Sequence, residues 1–337
     1  MTPARMIEAW RSLGEEPAQP AGVQRVRLDT EAAADVFACL FWPSGCPGLL
    51  IEGDGAYRPA GDRIPTCRGV RTVHEVIATP NERTVLRVML EDTRLMDIFA
   101  VLSADLIDAA TGEITVAAAL RRCIDRLCLW QGLFERVPAE GLSDEQQRGM
   151  VGELLILETL MLPRLDLLAA VTAWVGPEPA HQDFIHGGAA VEVKTSLAKR
   201  HARIIIANEK QLDERPHNSL VLAHLRLDES ASLGESLPVV VARLRQLLAS
   251  DPVASRLFDD RLMLGSYLDV HAPIYLPNRW RLSSSRYFRV EGEFPRLTEA
   301  NLPPGVGDIH YSIIADDLGP FEISAGDAAA LLEFVDG

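Results

Sequence analysis

The sequence predicts an α/β chain, α+β overall, with a mixed sheet covered by helices and an N-terminal domain of strands and helices before it. Three observations carry this. The 337 residues are 47% hydrophobic and 24% charged, an ordinary globular balance with room for two or three domains. Residues 143–250 read in order as helix, strand, hairpin strands, strand, helix, strand, helix. Residues 23–88 are mostly strand-like, with repeated apolar/polar alternation.

Taken along the chain, Met6, Ile7 and Trp10 at helical spacing predict a helix over 1–14. The Pro/Gly/Glu-rich stretch 14–21 predicts a loop. VQRVRL, RTVHEVI and RTVLRVMLE alternate as strands, and ADVFACLFW and LLIEG are short apolar runs between turns. WPSGCPG is read as a turn. LMDIFAVLSADLIDAA and VAAALRRCIDRLCLWQGLFERV predict two helices, and VPAEGL marks the end of an N-terminal domain at 1–137. Ser143 and Gln146 have capping-box spacing for a helix through MVGELLILETLML, which Pro163 ends. TAWVG is read as a strand, VGPEPAH as a loop, QDFI as a strand, HGGA as a turn, and AVEVKTS and RIIIAN as strands. Asn208 and Gln211 repeat the capping-box spacing and predict a short helix. LVLAHLRL and VVVARLRQLLAS complete the core at 143–250 as strand and helix. In a C-terminal region at 251–337, PIYLP, RYFRV and HYSIIA read as strands and AGDAAALLEFV as a helix capped by Ser324.

Composition narrows the function classes. A net charge of −15 argues against nonspecific coating of nucleic acid, while leaving room for a local site. No stretch approaches the ~20 apolar residues of a membrane span, and the N-terminus lacks a signal-peptide apolar region. The scattered Cys39, Cys46, Cys67, Cys123 and Cys128 include no CxxC pair. The expectation is a cytoplasmic chain with reduced thiols, no structural zinc and no membrane contact. There is no P-loop and no GxSxG elbow. Of 33 basic residues only Lys194, Lys199 and Lys210 are lysines, and all three fall within 17 residues.

That window holds the informative motif. HGG turns a hairpin after Asp183, and the return strand reads Ala-Val-Glu-Val-Lys-Thr. Alternation sends Glu192 and Lys194 to one face and Val191 and Val193 into the core. Asp183 can lie across from that polar face. Two carboxylates converging with an ammonium suit metal-assisted phosphodiester hydrolysis. Mg²⁺ takes hard oxygen ligands, and Asp183, Glu192 and the backbone carbonyl of Val193 can supply three. Lys194 can orient the attacking water or stabilise charge on the phosphate. Glu153 lies beside the apolar stripe Met150, Leu154, Leu157 and Met161 and can lean toward the sheet. Gln211 can hydrogen-bond phosphate or water. Residues 190–226 carry seven basic against four acidic residues. Lys199, Arg200, Arg203 and Lys210 are therefore the candidate nucleic-acid contacts.

Glu153, Asp183, Glu192-Val-Lys194 and Gln211, taken together, resemble the PD-(D/E)XK superfamily. More narrowly, GELLIL, W-x-G, DF, VEVKTS and an N-x-x-Q-L run are similar to the bacterial PD-(D/E)XK motif proteins linked to restriction and phage-defence gene clusters. The resemblance implies a restriction-endonuclease-like core with a four-stranded mixed sheet flanked by helices. It implies a DNA endonuclease dependent on Mg²⁺ or Mn²⁺, with Asp183 and Glu192 as metal ligands, Lys194 as the catalytic lysine, Glu153 as an auxiliary acid and Gln211 as an accessory residue. An ATPase or methyltransferase partner belongs to that setting, and a homodimer suits double-strand cleavage. Gln182 stands where the family pattern has proline. The alternative is a noncatalytic DNA- or protein-binding subunit that keeps the fold, and the metal chemistry serves RNA as well as DNA.

Overall fold

Alternating strands at the N-terminus and a hairpin-centred α/β segment after residue 140 build two units in the computed structural model, Met1–Glu140 and Gly141–Gly337. The structure describes residues 1–337 except 60–63, 79–81, 137–140, 179, 199–202, 216, 231 and 333–337. Among the described residues, no helix is long and apolar enough to cross a membrane.

In the first unit, α1 (Pro3–Gly14) starts at the cap Thr2, whose hydroxyl accepts from Arg5 N. The strands are β1 (Gly22–Arg27), β2 (Asp35–Trp42), β3 (Cys46–Asp54), β4 (Val70–Ile77) and β5 (Arg83–Leu90). They form one antiparallel sheet in the order β1-β2-β3-β5-β4. The expected turn falls between β2 and β3. Helices α2 (Met96–Ala110) and α3 (Val116–Arg136) follow. Trp10 Nε1 donates to Gly48 O at 2.9 Å, fixing α1 to the sheet.

The second unit begins with α4 (Asp144–Ile156). Its capping box forms: Ser143 Oγ accepts from Gln146 N and Gln146 Oε1 accepts from Ser143 N. A π-turn over Leu157–Met161 continues it toward Pro163. TAWVG is not a strand. Asp166 caps α5 (Leu167–Ala173) by accepting from Ala169 N, and only Trp174 bridges to the next strand, through Phe184. The strands β6 (Phe184–His186), β7 (Ala189–Leu197), β8 (Arg203–Ile206) and β9 (Ser219–Glu229) follow. The helix expected from Asn208 to Gln211 does not form. That stretch is a turn in which Asn208 Oδ1 accepts from Lys210 N, and Gln211 Oε1 accepts from Ala207 N instead of closing a box.

Beyond β9 lie α6 (Leu237–Leu248), α7 (Pro252–Leu264), α8 (Ala272–Tyr275), β10 (Trp280–Arg289), β11 (Tyr311–Ile314), β12 (Glu322–Ile323) and α9 (Ala325–Leu332). PIYLP, expected as a strand, holds α8. Ahead of PIYLP, where the sequence predicts no element, lies α7, which Asp251 caps by accepting from Val253 N and Ala254 N. The main sheet has the order β12-β10-β9-β7-β6, with β7 parallel to β9 and the other pairs antiparallel. It is thus mixed, with a two-residue edge strand beyond the four implied by the resemblance. Residues 251–337, read from the sequence as a separate region, supply β10 and β12 to this same sheet.

Alternation puts a core on each face. Val191, Val193, Val221, Ala223 and Leu225 join the helical side with Met150, Leu154, Leu157 and Met161. Ala190, Leu220, Leu222 and Phe288 join the other side, covered by the two-stranded β8–β11 ribbon. The Glu192 face is therefore roofed rather than open, which makes its charged groups costly to bury unless paired.

Candidate active site

The turn between β6 and β7 is Gly187-Gly188, both at positive φ (58° and 80°), as a two-residue hairpin of this hand requires. The register pairs Phe184 with Val191. Asp183, one residue further out, donates its N–H to Val191 O at 3.1 Å and accepts Val193 N at 2.7 Å on Oδ2. N–H and C=O of one residue leave a strand at the same edge. The Val193 carbonyl therefore faces the Asp183 side.

On the roofed face Lys194 Nζ lies 2.8 Å from Glu192 Oε1 and donates to Gln211 Oε1 at 3.1 Å. Glu192 is 1% exposed, and its Oε2 has no hydrogen-bond partner. Glu153 reaches the same cluster from α4. Its neighbour Gly152 makes this reach feasible, because a Cβ there would overlap the Thr195 methyl of β7. Trp174, fully buried, donates Nε1 to Glu153 Oε2 at 2.7 Å. Val175 N and Gly176 N both donate to Asp183 O, at 2.8 and 2.9 Å. A Cβ on Gly176 would sit 2.7 Å from Glu153 Oε2 and 2.9 Å from Asp183 Oδ1. A cradle bounded by two carboxylates is thus kept free by the absence of a side chain. Arg261 of α7 holds this segment, donating Nη1 to Val171 O at 2.8 Å and pairing with Glu178 at 2.9 Å.

Electrostatics follow from that crowding. Burial, then Asp183, raises the Glu153 carboxyl to about 8 despite the Trp174 hydrogen bond and Lys194. Burial raises Asp183 to about 6 against the pull of Val193 N–H and Lys194. Burial and Asp183 push Glu192 well above the usual carboxylate range. Burial alone would lower the Lys194 pKa, but Glu192, Asp183 and Glu153 outweigh it and hold the ammonium charged. Three carboxyl groups share one ammonium, so the set retains protons near neutral pH unless another cation joins it. Beside Lys194 in the β7–β9 register, His224 is kept neutral, its pKa lowered to about 4 by burial and by Arg226 and Arg286.

The orphaned Glu192 Oε2, the Gly176 cradle and an all-oxygen donor set suit a hard ion. Among the described residues, no three His, Cys, Asp or Glu side chains form a ready-made metal cluster. The expected set needs only two carboxylates and a main-chain carbonyl, and each acid already has one oxygen engaged by a protein donor.

The structure thus brings together Glu153, Asp183, Glu192, Lys194 and Gln211. Arg203 is exposed on β8, and Lys210 is exposed and paired with Glu299 at 3.6 Å. Lys199 and Arg200 lie outside the described residues. Trp174 and Gly176 were visible in the sequence only as a W-x-G pattern without a role. Gln182 was visible only as a departure from proline.

A mixed sheet with Asp at the mouth of one strand and Glu-x-Lys on the next, packed on a helix that offers Glu, defines a PD-(D/E)XK-type, nuclease-like fold. The chain belongs to the family described as "Putative PD-(D/E)XK family member, (DUF4420)", whose model matches residues 6–316. No curated protein and no solved structure matches it.

Proposed function

We propose that this protein is a divalent-metal-dependent DNA endonuclease that hydrolyses phosphodiester bonds. The observation that carries the reading is the buried, partnerless Glu192 Oε2 beside Asp183 and a charged Lys194. A scaffold has no need to bury like-charged carboxylates together, because their proximity is destabilising without a cation. Asp183, Glu192 and the Val193 carbonyl would hold Mg²⁺ or Mn²⁺. Such an ion supplies Lewis-acid polarisation of the phosphate and acidifies water. Lys194 stabilises charge on the phosphate or orients the attacking water, Gln211 fixes Lys194, and Glu153 accepts a proton or supports the ion. Arg203 and Lys210 are proposed to grip the DNA backbone. A role in restriction or phage defence, with an ATPase or methyltransferase partner, rests on the motif resemblance, a homodimer on the need to cut two strands, and a cytoplasmic setting on the scattered cysteines and the apolar-poor N-terminus.

The test is cleavage of plasmid and phage DNA with Mg²⁺ or Mn²⁺ by wild type, Lys194→Ala and Asp183→Ala. The expected result is metal-dependent cutting that both substitutions abolish. Cutting that survives both would overturn the site. If wild type neither cuts nor binds metal through Asp183 in calorimetry, the chain is a noncatalytic subunit.

A further inference from the structure

Gln182 is 4% exposed, and a buried primary amide needs its donors and acceptor satisfied. Here they are. Nε2 donates to Lys210 O at 2.9 Å and reaches Gln211 O at 3.4 Å, and Oε1 pairs with His217 Nε2 at 3.0 Å. The two carbonyls dictate the orientation of the amide, so His217 must donate. Gln182 thereby clamps the main chain of the 207–212 turn to the residue next to Asp183. From that turn Gln211 sends Oε1 back between Ala207 N–H at 2.8 Å and Lys194 Nζ at 3.1 Å. The contacts close a ring: Asp183, Gln182, the turn carbonyls, Gln211 Oε1, Lys194 Nζ, Glu192 Oε1, and back along β7 to Val193 N on Asp183 Oδ2.

We propose that Gln182 is a positioning residue that fixes the aim of Lys194 through Gln211. The inference rests on the nuclease reading of the same site. A lysine ammonium has three N–H donors. Glu192 and Gln211 take two, which leaves one, in a defined direction, for a substrate phosphate or the attacking water. A proline at 182 would provide none of these side-chain bonds. In this chain a side-chain clamp orders the turn that carries Gln211, where the sequence suggested a capped helix.

The test uses the full chain with Gln182→Glu, isosteric but presenting an oxygen to the two carbonyls, and Gln182→Met, which keeps bulk without hydrogen bonds. The first readout is amide exchange of Ala207 N–H by NMR without metal or DNA. Both variants are expected to exchange it at least about tenfold faster while β9 amides keep their protection. The second is cleavage: kcat falls about 10- to 100-fold with KM for DNA unchanged. On a Gln211→Ala background, Gln182→Met costs less than about twofold more, because both act through one link. Wild-type protection of Ala207 in both variants, or full additivity with Gln211→Ala, would overturn the proposal. If the wild type does not cut DNA, Ala207 exchange still decides the clamp, and only the nuclease reading falls.

Discussion

A carboxyl group raised to about 8, as Glu153 is, binds its proton far more tightly in the folded chain than in the unfolded one. Between pH ~4.5 and ~8 the folded form therefore holds the extra proton, and unfolding free energy falls as pH rises across that window. Asp183 acts in the same direction between its usual value and about 6. Glu153→Gln keeps an oxygen for Trp174 Nε1 and removes the charge. Without metal it should match the wild-type Tm at pH 5 and exceed it at pH 8.5. A Tm difference that does not grow with pH in thermal melts would contradict the assignment. Gly176→Ala makes the complementary change, setting a methyl between Glu153 Oε2 and Asp183 Oδ1. Gly176 is not at positive φ, so the fold should persist while Mn²⁺ binding in calorimetry falls by at least about tenfold, the cost of crowding two ligands. Asp183, Glu192 and Lys194 were legible in the sequence because strand alternation and a short hairpin are local rules. Gln182 was not, because its partners lie 28, 29 and 35 residues away and only the fold brings them to it.

Elements were legible where one periodicity decided them. The five N-terminal strands, α1 to α4, the β6–β7 hairpin and β9 follow alternation, helical spacing or caps directly. α5 was misread because TAWVG is β-prone, although Asp166 offered the cap that starts a helix there. α7 was missed although Asp251-Pro252 is a cap followed by proline at the first helical position, a start signal in its own right. The 208–211 turn shows the limit of motif spacing: the residues of a capping box were present, but Gln211 found Ala207 and Lys194 instead. Packing of α4 on β7 depends on Gly152, whose missing Cβ lets Glu153 approach the sheet. Gly152→Ala should cost about 1–3 kcal/mol, the usual range for overpacking, read as a lower urea midpoint at unchanged m. It should also weaken metal binding, because Glu153 moves with the helix. An unchanged urea midpoint would mean that α4 tolerates the shift and that its distance from β7 is not set here.

At the scale of the molecule, all five clustered residues and both cores around the main sheet lie within Gly141–Gly337. Among the described residues, every group placed at the site belongs to the second unit, so residues 141–337 should fold alone and retain Asp183-dependent stabilisation by Mn²⁺. The C-terminal limit is equally specific. Ending at residue 250, where the sequence suggested a boundary, removes β10 from beside β9, strips Trp280, Tyr287 and Phe288 from the two cores, and deletes the α7 arginine that holds the Trp174–Gly176 segment. Each buried aromatic contributes about 1.5–3 kcal/mol, so the three losses alone rival the 5–15 kcal/mol that keeps a typical domain folded. The long strand β9 would also become an open edge. Fragment 141–337 should therefore melt cooperatively by circular dichroism, with a Tm that rises in Mn²⁺, and fragment 141–250 should not melt cooperatively at all. A cooperative 141–250 would show that β10 and α7 decorate the nuclease-like sheet rather than complete it.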